Sequence, residues 1–220
     1  MATLVFYDDK HIYELDGEEV PSGSEIARFA SREIYGSVSQ YNLDNASERG
    51  TVVHKATEVL DKYEEVECQP NIEPYIRAYI KFRKDYGIKE YVAIEKKLAS
   101  PKMRFAGTID RVVKITEQFA SEFKSQTKID VSHLIGKIAI IDIKSSAVVQ
   151  KVLAQIQLNG YEKLATENQL GEVGLLMIVH LNKDGKYKVH NFEIDDTLFM
   201  SCYNLHKALE KKKRTKRESK

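Results

Sequence analysis

The run Ile138-Ala139-Ile140-Ile141-Asp142-Ile143-Lys144 is apolar and rich in β-branched residues until it ends in an acid and a base. A continuous apolar stretch of this length predicts a strand buried on both faces. Strand side chains alternate with a period of two. Asp142 and Lys144 are therefore expected on one face, with the Ile143 side chain on the other and its carbonyl between them. Similar patterns predict strands over Tyr91 to Leu98, Arg104 to Ile115, Val173 to Leu181 and around Tyr187 to Ile194. Helical spacing begins near Asn45, where Val52, Val53, Ala56, Val59 and Leu60 lead into the acidic stretch Asp61 to Glu67. Further helices are predicted over Ile76 to Tyr86, with Gly87 at the C′ position, over Val148 to Asn168, and from Thr197 into the C-terminus. At the N-terminus, Lys10 to Leu15 and Glu18 to Val20 flank Asp16-Gly17, a type I′ hairpin signal. Ser22 and Glu25 then form a capping-box pattern that opens a helix to about Phe29. The pattern is that of an α/β domain, a mixed central sheet flanked by helices and preceded by an N-terminal hairpin and helices.

Length and composition narrow the class without deciding the chemistry. At 220 residues, with no Pro/Gly/Ser-rich linker, the chain reads as one domain. Its parts are a hairpin and helix module over 1–45, a helical part over 46–90, the sheet with its crossing helix over 91–195, and a final helix with a basic tail over 196–220. The formal net charge of +1 gives no global case for a polyanionic partner. The basic run Lys211 to Lys220 could contact phosphates, and reads equally as a solvated helix end. Two cysteines, Cys68 and Cys202, are too few for a four-cysteine cluster, so no iron-sulfur centre is expected. No apolar stretch approaches the ~20 residues that span a bilayer, and no signal peptide is visible, so a cytoplasmic protein without a membrane role is expected.

The candidate chemistry starts from the charges in the apolar strands. Burying even a neutral polar group without a partner costs on the order of 2 to 7 kcal/mol, so Asp142 and Lys144 need a reason to be there. Taken alone, an Asp-x-Lys reads first as a structural ion pair between strands. A second acid, Asp110, lies in a neighbouring predicted strand, after Gly107, a residue that marks close approach of backbone or ligand. Two acids and a lysine make an oxygen-rich site that suits Mg²⁺ or Mn²⁺. Three other features are ordinary one by one. His54 sits near the predicted start of a helix and reads as a structural histidine, Glu95 as an exposed strand residue, and Gln157 with Tyr161, at i and i+4, as packing residues.

In order along the chain, these features resemble the RecB-type branch of the PD-(D/E)XK nuclease superfamily, which includes phage exonucleases and CRISPR-associated adaptation nucleases. The matching pieces are Arg49-Gly50-Thr51-x-x-His54, Glu95, Gly107-x-x-Asp110, Asp142-Ile143-Lys144 and Gln157-x-x-x-Tyr161. Tyr13 to Gly17 with Pro21-Ser22 also resembles the opening of phage-encoded members. The resemblance implies a restriction-endonuclease-like fold and a metal-dependent DNA nuclease, most simply an exonuclease that processes ends in recombination or replication. It assigns His54, Asp110, Asp142 and the Ile143 carbonyl to one or two Mg²⁺ or Mn²⁺ ions, with Glu95 assisting. Lys144 activates water, Gln157 and Tyr161 orient the site or touch substrate, and Arg49 pairs with a phosphate. DNA is the implied partner, with a single-strand annealing or recombination protein as a second and an oligomer left open; a phage-encoded protein would act in the host cytoplasm. The alternatives are a structure-specific endonuclease and a non-catalytic DNA-binding recombination protein on a nuclease fold. The polar segment Thr116 to Gly136, longer than a tight connection, reads as a surface extension, or else as a lid or DNA-contacting flap.

Overall fold

The computed structural model describes residues 2–8, 10–27, 30 and 40–218, with side chains outside 40–47 and 213–218. The N-terminal strands β1 (Leu4–Tyr7), β2 (Ile12–Leu15) and β3 (Glu18–Val20) form an antiparallel three-stranded sheet. The expected turn joins β2 to β3, with Asp16 and Gly17 both at positive φ. The added strand β1 lay outside the sequence reading. Ser22 and Glu25 exchange backbone-to-side-chain hydrogen bonds of 2.8 and 3.0 Å, the expected capping box, at a helical segment over 23–27. The rest of that expected helix, through Phe29, lies outside the described residues.

Two helices follow, α1 (Gln40–Tyr63) and α2 (Glu73–Asp85). The main sheet has the strands β4 (Ala93–Ser100), β5 (Phe105–Lys114), β6 (Ile138–Lys144), β7 (Val173–Leu181) and β8 (Tyr187–Phe192), neighbours in that order. Its pairings are antiparallel except between β6 and β7, which are parallel and joined by the crossover helix α4 (Lys151–Glu167). The last element is α5 (Thr197–Glu218). A mixed five-stranded sheet flanked by helices is therefore present, as the hydrophobic pattern predicted. Among the described residues, no helix is long and apolar enough to cross a membrane.

Alternation along β6 distributes its side chains between two cores. Ala139, Ile141 and Ile143 pack with residues of α1 and α2, whereas Ile138 and Ile140 pack with α4 and α5. Asp142 and Lys144 belong to the second parity, so both point toward α4. A third, smaller core joins the N-terminal sheet to β4 and β5 through Tyr13, Leu15, Val20, Ala99 and Ala106. A hydrogen bond of 3.0 Å from Ala106 N–H to the Pro21 carbonyl fixes this junction.

The segment Thr116 to Gly136 corrects an expectation. It carries a helix, α3 (Glu117–Thr127), capped by the Thr116 hydroxyl, which accepts from the Phe119 N–H at 3.2 Å. Phe119 and Phe123, four positions and about one helical turn apart, are 1% and 0% exposed in the core on the α1 face. The segment is a packed layer and neither a loose extension nor a flap. Its polar residues misled because only one face of a short amphipathic helix is apolar. Phe123→Ala is expected to cost about 3–5 kcal/mol of stability, read from the urea midpoint. A loss below 1 kcal/mol would mean that the segment is not part of the core.

Candidate metal-binding site

The site is built from five elements, α1, α4, β4, β5 and β6. On α1, His54, Thr57 and Asp61 recur at i, i+3 and i+7, so they share one helix face. That face lies over β5, where alternation sends Asp110 and Arg111 to opposite sides. Arg111 is 1% exposed and reaches α1, donating to Thr57 Oγ1 at 3.1 Å and to the Asp61 carboxylate. It also donates to Glu95 Oε1 on β4 at 2.8 Å and to the Asp110 carbonyl at 2.7 Å. Asp61 accepts further hydrogen bonds from Tyr79 and Tyr91 at 2.7 and 2.6 Å, and Arg83 lies 3.3 Å away. A buried cation thus locks α1 against the sheet and places His54 over its edge. Burial, reinforced by the Asp61 carboxylate, pushes the Tyr79 and Tyr91 hydroxyls up and keeps them as donors.

His54 Nε2 donates to the Ile143 carbonyl at 2.8 Å, while Nδ1 faces Asp110 at 3.4 Å and Glu95 at 3.6 Å. Asp110 in turn accepts from the Ile143 N–H at 2.7 Å, so the backbone of Ile143 on β6 is held on both sides, its N–H by Asp110 and its carbonyl by His54. Glu95 has φ of 44°, a left-handed conformation costly for a β-branched or long side chain within a strand, and it interrupts the pairing of β4 with β5 opposite Asp110. The kink turns the Glu95 carboxylate inward toward Arg111 and His54. Donor atoms of His54, Glu95 and Asp110 all lie within 4.8 Å of one another.

Across β6, Lys144 Nζ is 2.8 Å from Asp142 Oδ2 and donates to Gln157 Oε1 at 3.3 Å. Gln157 Nε2 donates to the Tyr161 hydroxyl at 2.6 Å, confirming the shared face of α4. Gly107 explains the close packing there, because a Cβ at this position would come within 3.2 Å of the Tyr161 ring and 3.1 Å of Leu164. All these groups open on one polar cleft of about 650 Å³.

The electrostatics follow from burial. Desolvation alone would lower the His54 pKa, but the facing Asp110 and Glu95 carboxylates outweigh it and push it up to about 9. Burial pushes Asp142 up to about 6; Lys144 opposes this and Asp110 reinforces it. Burial likewise raises Asp110, against the pull of His54.

The structure brings His54, Glu95, Asp110, Asp142, Ile143, Lys144, Gln157 and Tyr161 together around the cleft. Three placements differ from the sequence reading. His54 lies in the middle of a long helix, not near its start, because α1 begins at Gln40. Asp142 is engaged by Lys144 and is not part of the tight trio, in which Glu95 takes the place expected for it. Arg49 does not reach the cleft, since its guanidinium lies over the Tyr75 ring at 5.9 Å. Sequence reasoning missed Arg111 and Asp61, although the i, i+3, i+7 spacing of His54, Thr57 and Asp61 was visible.

The donor set fits a hard divalent cation. It offers two carboxylates and an imidazole within reach of one another, with a third carboxylate adjacent whose Oδ2 lacks an aligned hydrogen bond despite the nearby ammonium. No protein-family model matches the chain, and no curated protein matches it significantly.

Two outcomes are expected. His54 carries a proton at neutral pH in the metal-free protein, and that proton must leave for its nitrogen to become a ligand. Mn²⁺ affinity measured calorimetrically should therefore rise between pH 6 and 8, by up to about tenfold per unit; a flat profile would remove His54 from the ligands. Asp61→Asn leaves Arg111 short of a buried counter-charge and should cost about 3–5 kcal/mol in chemical denaturation.

Proposed function

We propose that this chain is a metal-dependent DNA nuclease of the RecB-type PD-(D/E)XK kind, acting as an exonuclease on DNA ends. The observation that carries the reading is the convergence of Asp110, Asp142 and Lys144 from adjacent strands with His54 and Glu95 on one polar cleft. A strand that places an acid and a base at its end, beside a second acid on its neighbour, is hard to account for by stability alone. Removing any one partner would leave uncompensated charge, and an apolar replacement would serve packing as well.

His54, Glu95 and Asp110 would hold a Mg²⁺ or Mn²⁺ ion, with Asp142 at its side. When bound, such an ion polarises a phosphoryl oxygen and lowers the pKa of water. The chain's own groups do the rest. Lys144, fixed between Asp142 and Gln157, holds the attacking water and offsets charge gathering on the phosphate. Tyr161 orients Gln157 and so keeps the ammonium from swinging away. Water adds to phosphorus, the P–O bond to the leaving sugar oxygen breaks, and the products are a phosphomonoester and a free hydroxyl.

Purified protein with end-labelled linear DNA and closed circular DNA, in Mg²⁺ and in EDTA, tests the reading. Linear DNA should be degraded from its ends only with metal, and circles should survive. Cleaved circles would replace the exonuclease by an endonuclease, and binding without cleavage in any divalent metal would favour a non-catalytic DNA-binding protein. Lys144→Ala should lower the rate by about 10²–10⁴-fold, and Asp110→Ala and Asp142→Ala by at least as much.

A further inference from the structure

The cleft has a second wall that the metal group does not explain. Besides the metal group, the cleft is lined by Phe6 and Tyr13 of the N-terminal sheet, by His11 from the turn between β1 and β2, and by Lys97 of β4. The three rings form one cluster, with centroid separations of 4.6 Å for Phe6 and Tyr13, 5.2 Å for Phe6 and His11, and 6.2 Å for His11 and Tyr13. Lys97 Nζ stands 4.6 Å from the Phe6 ring centroid. Tyr13 is the buried root of this group, and its hydroxyl shares a 2.7 Å hydrogen bond with Thr108 Oγ1, two residues before Asp110. The wall is thereby tied to the strand that carries the metal group. His11 and Lys97 are exposed, so the core does not require them.

We infer that this wall receives an unpaired nucleotide of the DNA strand, its base against the Phe6 and His11 rings and its phosphate near Lys97. The inference rests on the nuclease reading for the identity of the ligand and adds the substrate class: a strand whose end is already unpaired. Aromatic rings interleaved with a cation are the chemistry that binds single strands regardless of sequence, because every base has a π-face. A purely structural cluster would bury its rings and would not set an imidazole and an ammonium in solvent beside catalytic acids. The cleft of about 650 Å³ takes in both this wall and the metal group, so one strand end could reach both. Asp8, on the same wall, disfavours bare phosphate and leaves the base to supply the attraction.

Binding of a fluorescent oligodeoxynucleotide to the full chain in EDTA isolates this step from cleavage. Single strands should bind at least tenfold more tightly than a blunt duplex of the same length. One terminal abasic residue should weaken binding about tenfold, within the range of one stacked base. His11→Ala, which removes an exposed ring from the edge of the cluster, should lose most of this sensitivity to the abasic residue, and Lys97→Gln should weaken natural and abasic strands alike. Equal binding of natural and abasic strands by the wild type would overturn the proposal, as would unchanged base sensitivity in His11→Ala. Asp142→Ala separates the two readings. Base-sensitive binding kept there without cleavage supports both, while base-sensitive binding in a wild type that cleaves nothing sinks the nuclease reading alone.

Discussion

A buried arginine is the interaction on which the site depends. Arg111 has no exposed surface to speak of, and its guanidinium is divided among Asp61, Thr57, Glu95 and the Asp110 carbonyl. An isolated charge at such depth would be untenable, and two carboxylates with directed hydrogen bonds make it stable. Because those partners lie on α1, β4 and β5, satisfying one guanidinium fixes three elements against one another. Everything the cleft presents then follows from alternation and helical spacing. Asp110 faces away from Arg111 by one strand position, and His54 stands two helical turns from Asp61 on the same face.

The same arrangement explains how three acids are held close together. Glu95, Asp110 and Asp142 face His54, Lys144 and Arg111, so each carboxylate has a basic group within salt-bridge or hydrogen-bond reach of itself or its neighbour. His54 holds its proton well above the ordinary imidazole value for this reason, and the Ile143 carbonyl takes its second N–H. The proton stands where a divalent ion would stand. Loading the site would exchange one positive charge for two, which leaves the cleft more attractive to a phosphodiester than before.

The features legible in the sequence were those written by periodicity. Asp142 and Lys144 share a face because β-strands alternate, and Gln157 meets Tyr161 because helices repeat near four. The hairpin at Asp16-Gly17 and the Ser22/Glu25 cap were legible because their backbone chemistry is local. What escaped was long-range. Asp61 reads as the start of an acidic stretch, yet it is the buried end of a network that closes only when Arg111 of β5, Tyr79 of α2 and Tyr91 from the segment before β4 arrive. Arg111 beside Asp110 reads as one more charge in a strand, since nothing local says which of two adjacent residues faces a helix. The strand Leu4–Tyr7 escaped because four residues pairing at a sheet edge carry little pattern, and α3 escaped because its polar face dominates its composition.

The central claim is that Glu95 and Asp110, with His54 and with Asp142 beside them, form a divalent-metal centre. Anomalous X-ray diffraction from crystals soaked in Mn²⁺ tests it most directly. The account predicts one strong peak or a close pair in the cleft, at about 2.0–2.3 Å from His54 Nδ1 and an Asp110 oxygen, with the hydrogen bond from His54 Nε2 to the Ile143 carbonyl kept. A peak elsewhere, or no peak in the cleft, would contradict it.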